Sequence, residues 1–221
     1  MEKLRIEINE SLGAVSGLYR TPEEAFALLV LAHGAGAGMD HPFMEALANA
    51  LYDEGVGTLR FQFPYMEQGS RRPDRPGVAH EAVRAAVREA KERAPLLPLF
   101  AGGKSYGGRM ASQLAAAGGL GEVKGLVFFG YPLHPAGRPG KVRADHLAEV
   151  AQPMLFLQGT RDRLAEVDLI KEVCKKLPKS TLHFLPDGDH SFRTLKRTGI
   201  TQEQAVKQLA AWTAGWMEEW V

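Results

Sequence analysis

Along the chain, short aliphatic runs alternate with longer stretches of helical period, the pattern of a parallel sheet covered by helices on both faces. Residues 4–8 and 14–19, separated by a turn around Ser11-Leu12-Gly13, predict an antiparallel opening pair that forms one edge of the sheet. Residues 26–32 predict the first strongly buried strand. It runs into a glycine-rich loop from His33 to Gly38, after which Asp40 can cap a helix that buries Phe43, Met44, Leu47, Ala48 and Leu51 and stops near Gly55. Residues 57–63 predict the next strand. A polar loop containing Arg71, Arg72, Asp74 and Arg75 follows it, and then an Ala-rich helix over 78–93.

Residues 98–101 predict a third parallel strand that leads into Gly102-Gly103-Lys104-Ser105-Tyr106-Gly107-Gly108, with a small-residue helix running to about residue 117. A strand over 123–129 comes next. Residues 131–150, with Pro132, Pro135 and Pro139, read as an excursion over the strand ends. The alternation then repeats through a strand over 153–157, a helix over 167–177 and a strand over 181–185. Thr201-x-x-Gln204 fits a capping box for a last helix, whose Leu209, Trp212, Trp216 and Trp220 recur on roughly one face and read as core anchors.

Composition narrows the function classes. With 221 residues and 45% hydrophobic content, the chain is long enough for one domain, expected over 1–221, with a three-layer core. The 27 basic and 26 acidic residues nearly cancel, and no run of one sign would track phosphates, so nucleic acid is not expected as a partner. The one cysteine, Cys174, can form no internal disulfide; it falls on an apolar helix face with Val167, Ile170, Val173 and Leu177, which predicts burial. No apolar segment of signal-peptide type follows Met1, and the longest apolar run, 25–32, falls far short of the roughly 20 residues of a membrane span. A cytoplasmic protein without a membrane span is the expectation.

Chemistry concentrates at Gly103-Lys104-Ser105-Tyr106-Gly107, a G-x-S-x-G pattern placed where a predicted strand ends and a helix begins. That context makes a nucleophile elbow, in which glycines relieve a crowded, strained turn and the serine hydroxyl stands above the strand ends. A serine nucleophile needs a base, the base needs an orienting acid, and the oxyanion needs two fixed N–H donors. Of seven histidines, only His190 follows the last predicted strand in a loop, Asp187-Gly188-Asp189-His190-Ser191-Phe192. His183 lies inside that strand and reads as packing. His41, His80 and His146 fall in or beside helices, with solvated or capping roles, while His134 is placed to line a pocket and His33 to make a structural hydrogen bond. Asp162 lies just past the 153–157 strand and supplies the acid; Asp187 and Asp189 more plausibly shape the turn around His190.

The order Ser105, Asp162, His190, each just beyond a different parallel strand, is that of α/β-hydrolase triads. The fold class expected is therefore α/β, an α/β-hydrolase fold with a doubly wound, mostly parallel sheet and its site at the carboxyl ends of the strands. The backbone N–H groups of Tyr106 and Ala35, with Gly36 as the alternative to Ala35, are the expected oxyanion donors. Tyr65 and Tyr131, together with Met66, follow strand ends and are candidates to line a substrate pocket. The substrate expected is a small molecule carrying an acyl group, and no metal or organic cofactor is implied. Arg71, Arg72 and Arg75 either attract an acidic substrate or form a solvated surface.

Two other motifs fail on single residues. A phosphate-binding loop ending at Gly103-Lys104-Ser105 requires glycine at position 98, which is Pro98; a dinucleotide fingerprint from Gly34 requires glycine at position 39, which is Met39. The rival that survives is a binding or scaffold protein that keeps the fold without turnover.

Several stretches resemble small, lidless α/β-hydrolases related to dienelactone hydrolases, a group that includes bacterial predicted hydrolases and testis-expressed and chromatin-complex relatives. They are LAHGAGAGMDHPFM, RFQFPYMEQGSRRPDRP, AGGKSYGGRMAS, VFFGYPLHPAGRPGKVRADHL, MLFLQGTRD and PDGDHSF, spread over residues 31–192. The resemblance implies the same triad and a metal-independent, esterase-like activity. Dienelactone hydrolases proper usually carry cysteine where Ser105 stands, so lactone specificity does not follow from it. Some relatives act as subunits of larger assemblies.

Overall fold

The computed structural model describes all 221 residues. Eight strands form one sheet in the order β1-β2-β4-β3-β5-β6-β7-β8: β1 (Glu2–Asn9), β2 (Gly13–Arg20), β3 (Ala27–Ala32), β4 (Val56–Phe61), β5 (Leu99–Lys104), β6 (Leu126–Phe129), β7 (Met154–Gly159) and β8 (Ser180–Leu185). The β1–β2 hairpin joins β4 antiparallel, and every pairing from β4 to β8 is parallel. This is the α/β-hydrolase arrangement of a mostly parallel, doubly wound sheet.

Parallel strands buried on both faces must be apolar at successive positions, and β3 shows how that divides the core. Leu28, Val30 and Ala32 belong to the core layer covered by α3 (Pro76–Arg93), α4 (Tyr106–Ala116) and α5 (Val167–Lys175). Ala27, Leu29 and Leu31 face the opposite layer, formed by α1 (Pro42–Asp53) and α6 (Gln202–Glu218). A short α2 (Pro64–Glu67) follows β4, and 3-10 turns lie at Asp145–Glu149 and Lys196–Thr198. No helix is long and apolar enough to cross a membrane.

Several boundaries differ from those expected. β5 continues through Gly102 and Gly103 to Lys104, because these residues pair with Val127, Phe128 and Phe129 of β6 despite carrying no β-forming side chain. β6 begins only at Leu126, and α3 begins at Pro76, whose fixed φ suits a first helical turn. The cap of α1 is His41, whose Nδ1 accepts from the Phe43 N–H at 3.2 Å; Asp40 lies one residue too early. Thr201 and Gln204 do form the reciprocal capping box of α6. Of its tryptophans, Trp216 is buried, Trp212 stacks on His183 with the rings 10° from parallel, and Trp220 is exposed near the end of the chain. Cys174 is partly buried against the core, and burial pushes its thiol up to about 12.

Candidate active site

Ser105 stands between β5 and α4 with φ 50° and ψ −109°, a conformation a non-glycine residue keeps only under constraint. The constraint is the packing of its neighbours. A Cβ on Gly103 would lie 2.1 Å from the Ala32 carbonyl oxygen, and one on Gly107 would lie 2.5 Å from the same atom. The turn thus sits against the end of β3, and the Ser105 side chain projects away from the sheet toward the loop after β8.

That loop brings His190 to Ser105. The His190 Nε2 is 2.9 Å from Ser105 Oγ, and its Nδ1 is 2.7 Å from Asp162 Oδ2. A carboxylate only accepts, so Nδ1 carries the hydrogen and Nε2 is left to accept from the serine hydroxyl. Asp162 is buried at 3% exposure, with both oxygens hydrogen-bonded. Its Oδ1 accepts from the Leu164 N–H at 2.8 Å, and its Oδ2 also accepts from Gln158 Nε2 at 2.6 Å. Gln158 in turn accepts from the Tyr131 N–H through Oε1. The amide therefore ties β7 to the end of β6 while fixing the acid's orientation. Sequence reading passed over Gln158; its signal was a lone polar residue in the apolar strand Leu155-Phe156-Leu157-Gln158-Gly159.

Asp189 shapes the histidine's turn, its Oδ1 accepting from the N–H groups of Ser191 and Arg193. Asp187 pairs with Arg197 on the surface. Phe192, at φ 59° and fully buried, stacks on Phe43 of α1 and anchors the loop.

The loop after β3 completes the frame. His33 is buried, with Nδ1 2.8 Å from the Gly34 carbonyl and Nε2 accepting from the Phe63 N–H at 3.1 Å. Burial lowers its imidazole to about 4, only partly opposed by the Gly34 contact, so it stays neutral and pins the loop to the end of β4. The Gly36 N–H donates to the Tyr65 hydroxyl at 3.0 Å, whereas the exposed Ala35 N–H has no partner within the protein. Tyr106 is the first residue of α4, a position whose N–H a helix leaves unbonded. Of the two alternatives in the loop, Ala35 is the one whose donor is available.

A cleft of about 430 Å³ opens beside Ser105 and His190, bounded by the Gly34 to Ala37 loop, Phe43 and Met44 of α1, Lys104 and Leu164. Neither Tyr65 nor Tyr131 lines it. Both rings point into the opposite layer of the core, where Tyr65 packs near Phe63 and Tyr106 and Tyr131 packs against Phe128 and Phe156. Tyr65 instead holds Gly36, and the Tyr131 hydroxyl donates to the Arg143 carbonyl at 2.7 Å. Met66 likewise stays outside the lining, as does His134, which is fully buried and bonded to Glu166 and the Pro135 carbonyl. Arg71, Arg72 and Arg75 are exposed and away from the cleft. No group of three or more His, Cys, Asp or Glu side chains is arranged to hold a metal ion.

A mostly parallel eight-stranded sheet with a serine, a histidine and a buried carboxylate in series at its strand ends defines the α/β-hydrolase class. The sequence matches the alpha/beta hydrolase domain family over residues 25–218, and the chain belongs to that family. Its fold is similar to that of a dienelactone hydrolase from Anabaena variabilis, at TM-score 0.80 and 19% identity, covering 100% of this chain and 97% of that one. An alpha-beta serine hydrolase homologue from Coxiella burnetii is similar at TM-score 0.76 and 20% identity, with 96% of each chain covered. A serine hydrolase without lid from Xanthomonas campestris gives TM-score 0.70 and 21% identity over 96% of this chain and 94% of that one.

Proposed function

We propose that the protein, acting as one domain, is a serine hydrolase that cleaves an ester or related acyl bond through an acyl-Ser105 intermediate. The observation that carries this reading is the unbroken hydrogen-bonded series Ser105–His190–Asp162, of which Ser105 and His190 line the cleft. Serine hydrolase neighbours of the same fold agree with it.

The substrate carbonyl oxygen points between the N–H groups of Tyr106 and Ala35. Ser105 Oγ bonds to the carbonyl carbon while its proton passes to His190 Nε2, and Asp162 stabilises the imidazolium through Nδ1–H. The tetrahedral oxyanion is held by the two backbone donors. Collapse breaks the bond to the leaving alcohol, which takes the proton from His190. Water then attacks the acyl-serine as His190 removes its proton, and the carboxylic acid departs with Ser105 restored. Phe43, Met44 and Leu164 form the apolar wall that receives the acyl chain.

A series of p-nitrophenyl esters of rising chain length tests this. The bounded cleft predicts faster turnover of acetate and butyrate than of dodecanoate, and loss of that turnover in Ser105→Ala. Absence of hydrolysis across ester, thioester and peptide panels would favour a binding protein that merely keeps the fold.

A further inference from the structure

Lys104, the residue between the two key positions of the elbow, has an environment the mechanism above does not use. It ends β5 and its ammonium is buried with no hydrogen-bond partner. The side chain passes Gly34, where a Cβ would touch its Cγ at 3.4 Å. Its tip lies over Gly130 at the end of β6: a Cβ there would stand 3.0 Å from Nζ and 3.5 Å from His190 Cε1, so amine and imidazole flank one glycine. The Phe192 ring lies 5.6 Å from Nζ on another side. Asp162 beyond β7 and Asp189 in the histidine loop are the charged groups that bear on it.

We propose that Lys104 is a positioning residue that acts through His190: its sealed ammonium penalises protonation of the neighbouring imidazole and so keeps the base in its proton-accepting form. A like charge in a low-dielectric setting disfavours a second cation, and no carboxylate of the protein is hydrogen-bonded to the first. The nearby carboxylate of Asp162 alone would pull the other way, toward an imidazolium that cannot accept the serine proton. Burial brings the lysine down to about 8, against the opposing pull of Asp162 and Asp189. Through the pH range in which imidazoles ordinarily titrate, the amine therefore still carries its charge.

The proposal rests on the Ser105–His190–Asp162 reading, and its test separates the two. Wild type, K104M and K104R are compared in kcat/KM for p-nitrophenyl acetate across pH and, without substrate, in the NMR titration of the His190 ring, identified by its absence from His190→Ala. In K104M both the acid limb and the ring titration are expected to move up by about one pH unit. K104R, which keeps the charge, is expected to stay with wild type. Coincident ring titrations of folded K104M and wild type would overturn the proposal, and that pair decides it alone if the bulkier arginine prevents folding. A lysine with a purely structural role would change Tm without moving either midpoint. The ring titration needs no turnover, so a shifted titration in a protein that hydrolyses nothing would contradict the hydrolase reading while upholding the effect of Lys104.

Discussion

Asp162→Asn is expected to lower kcat/KM by about three to four orders of magnitude while the protein stays folded, and His190→Ala to lower it at least as far. The carboxylate accepts from His190 Nδ1, from Gln158 Nε2 and from the Leu164 N–H, so both of its oxygens are in use. An asparagine fits the same space but offers one oxygen and one NH2 group. Either it presents the NH2 at the Oδ2 position, which forces the hydrogen onto His190 Nε2 and loses the bond from Gln158, or it keeps its oxygen there and sets the NH2 against the Leu164 N–H. In the first case His190 can no longer accept the Ser105 proton. Steady-state kinetics on the best p-nitrophenyl ester, with circular dichroism to confirm folding, checks the outcome; activity within tenfold of wild type would remove Asp162 from the mechanism.

Gly103→Ala is expected to have a large effect on stability. The added Cβ would lie 2.1 Å from the Ala32 carbonyl oxygen and 2.8 Å from its carbonyl carbon, contacts that require β3 and β5 to separate. Those strands are paired at the centre of the sheet, with Ala32 opposite Gly103, so no flexible side chain can yield instead. The cost is above about 4 kcal/mol, a large share of the roughly 5–15 kcal/mol that stabilises a typical domain. Soluble yield and denaturant unfolding report it, and a Gly103→Ala protein with wild-type Tm would contradict the packing described around the elbow.

The same contact explains what could and could not be read from the chain. β3, and β7 as far as Leu157, are legible because burial on both faces demands uninterrupted apolar residues, whereas the last half of β5 is invisible to that rule. Gly102 and Gly103 have no side chains to show a pattern, and they lie in the strand because neighbouring backbones approach so closely. Ser105, Asp162 and His190 stood out because each follows a strand, and the structure brings all three within hydrogen-bond reach.

Tyr65 and Tyr131 follow strands too, yet a position past a strand end does not fix which layer a side chain enters. Theirs is the layer opposite the cleft, which opens against α1. The cap of α1 shifted from Asp40 to His41 for a similar reason: either side chain can accept from a free helix N–H, and a single residue of register decides which one does. Gln158 was hidden because nothing local tells a buried amide that orients an acid from one that merely fills a strand.

The nucleophile itself gives the most direct test. A fluorophosphonate probe, followed by peptide mass spectrometry, should label wild-type protein at Ser105 and leave Ser105→Ala unlabelled, with His190→Ala labelled far more slowly. No labelling of folded wild type, or equal labelling of wild type and Ser105→Ala, would contradict the account.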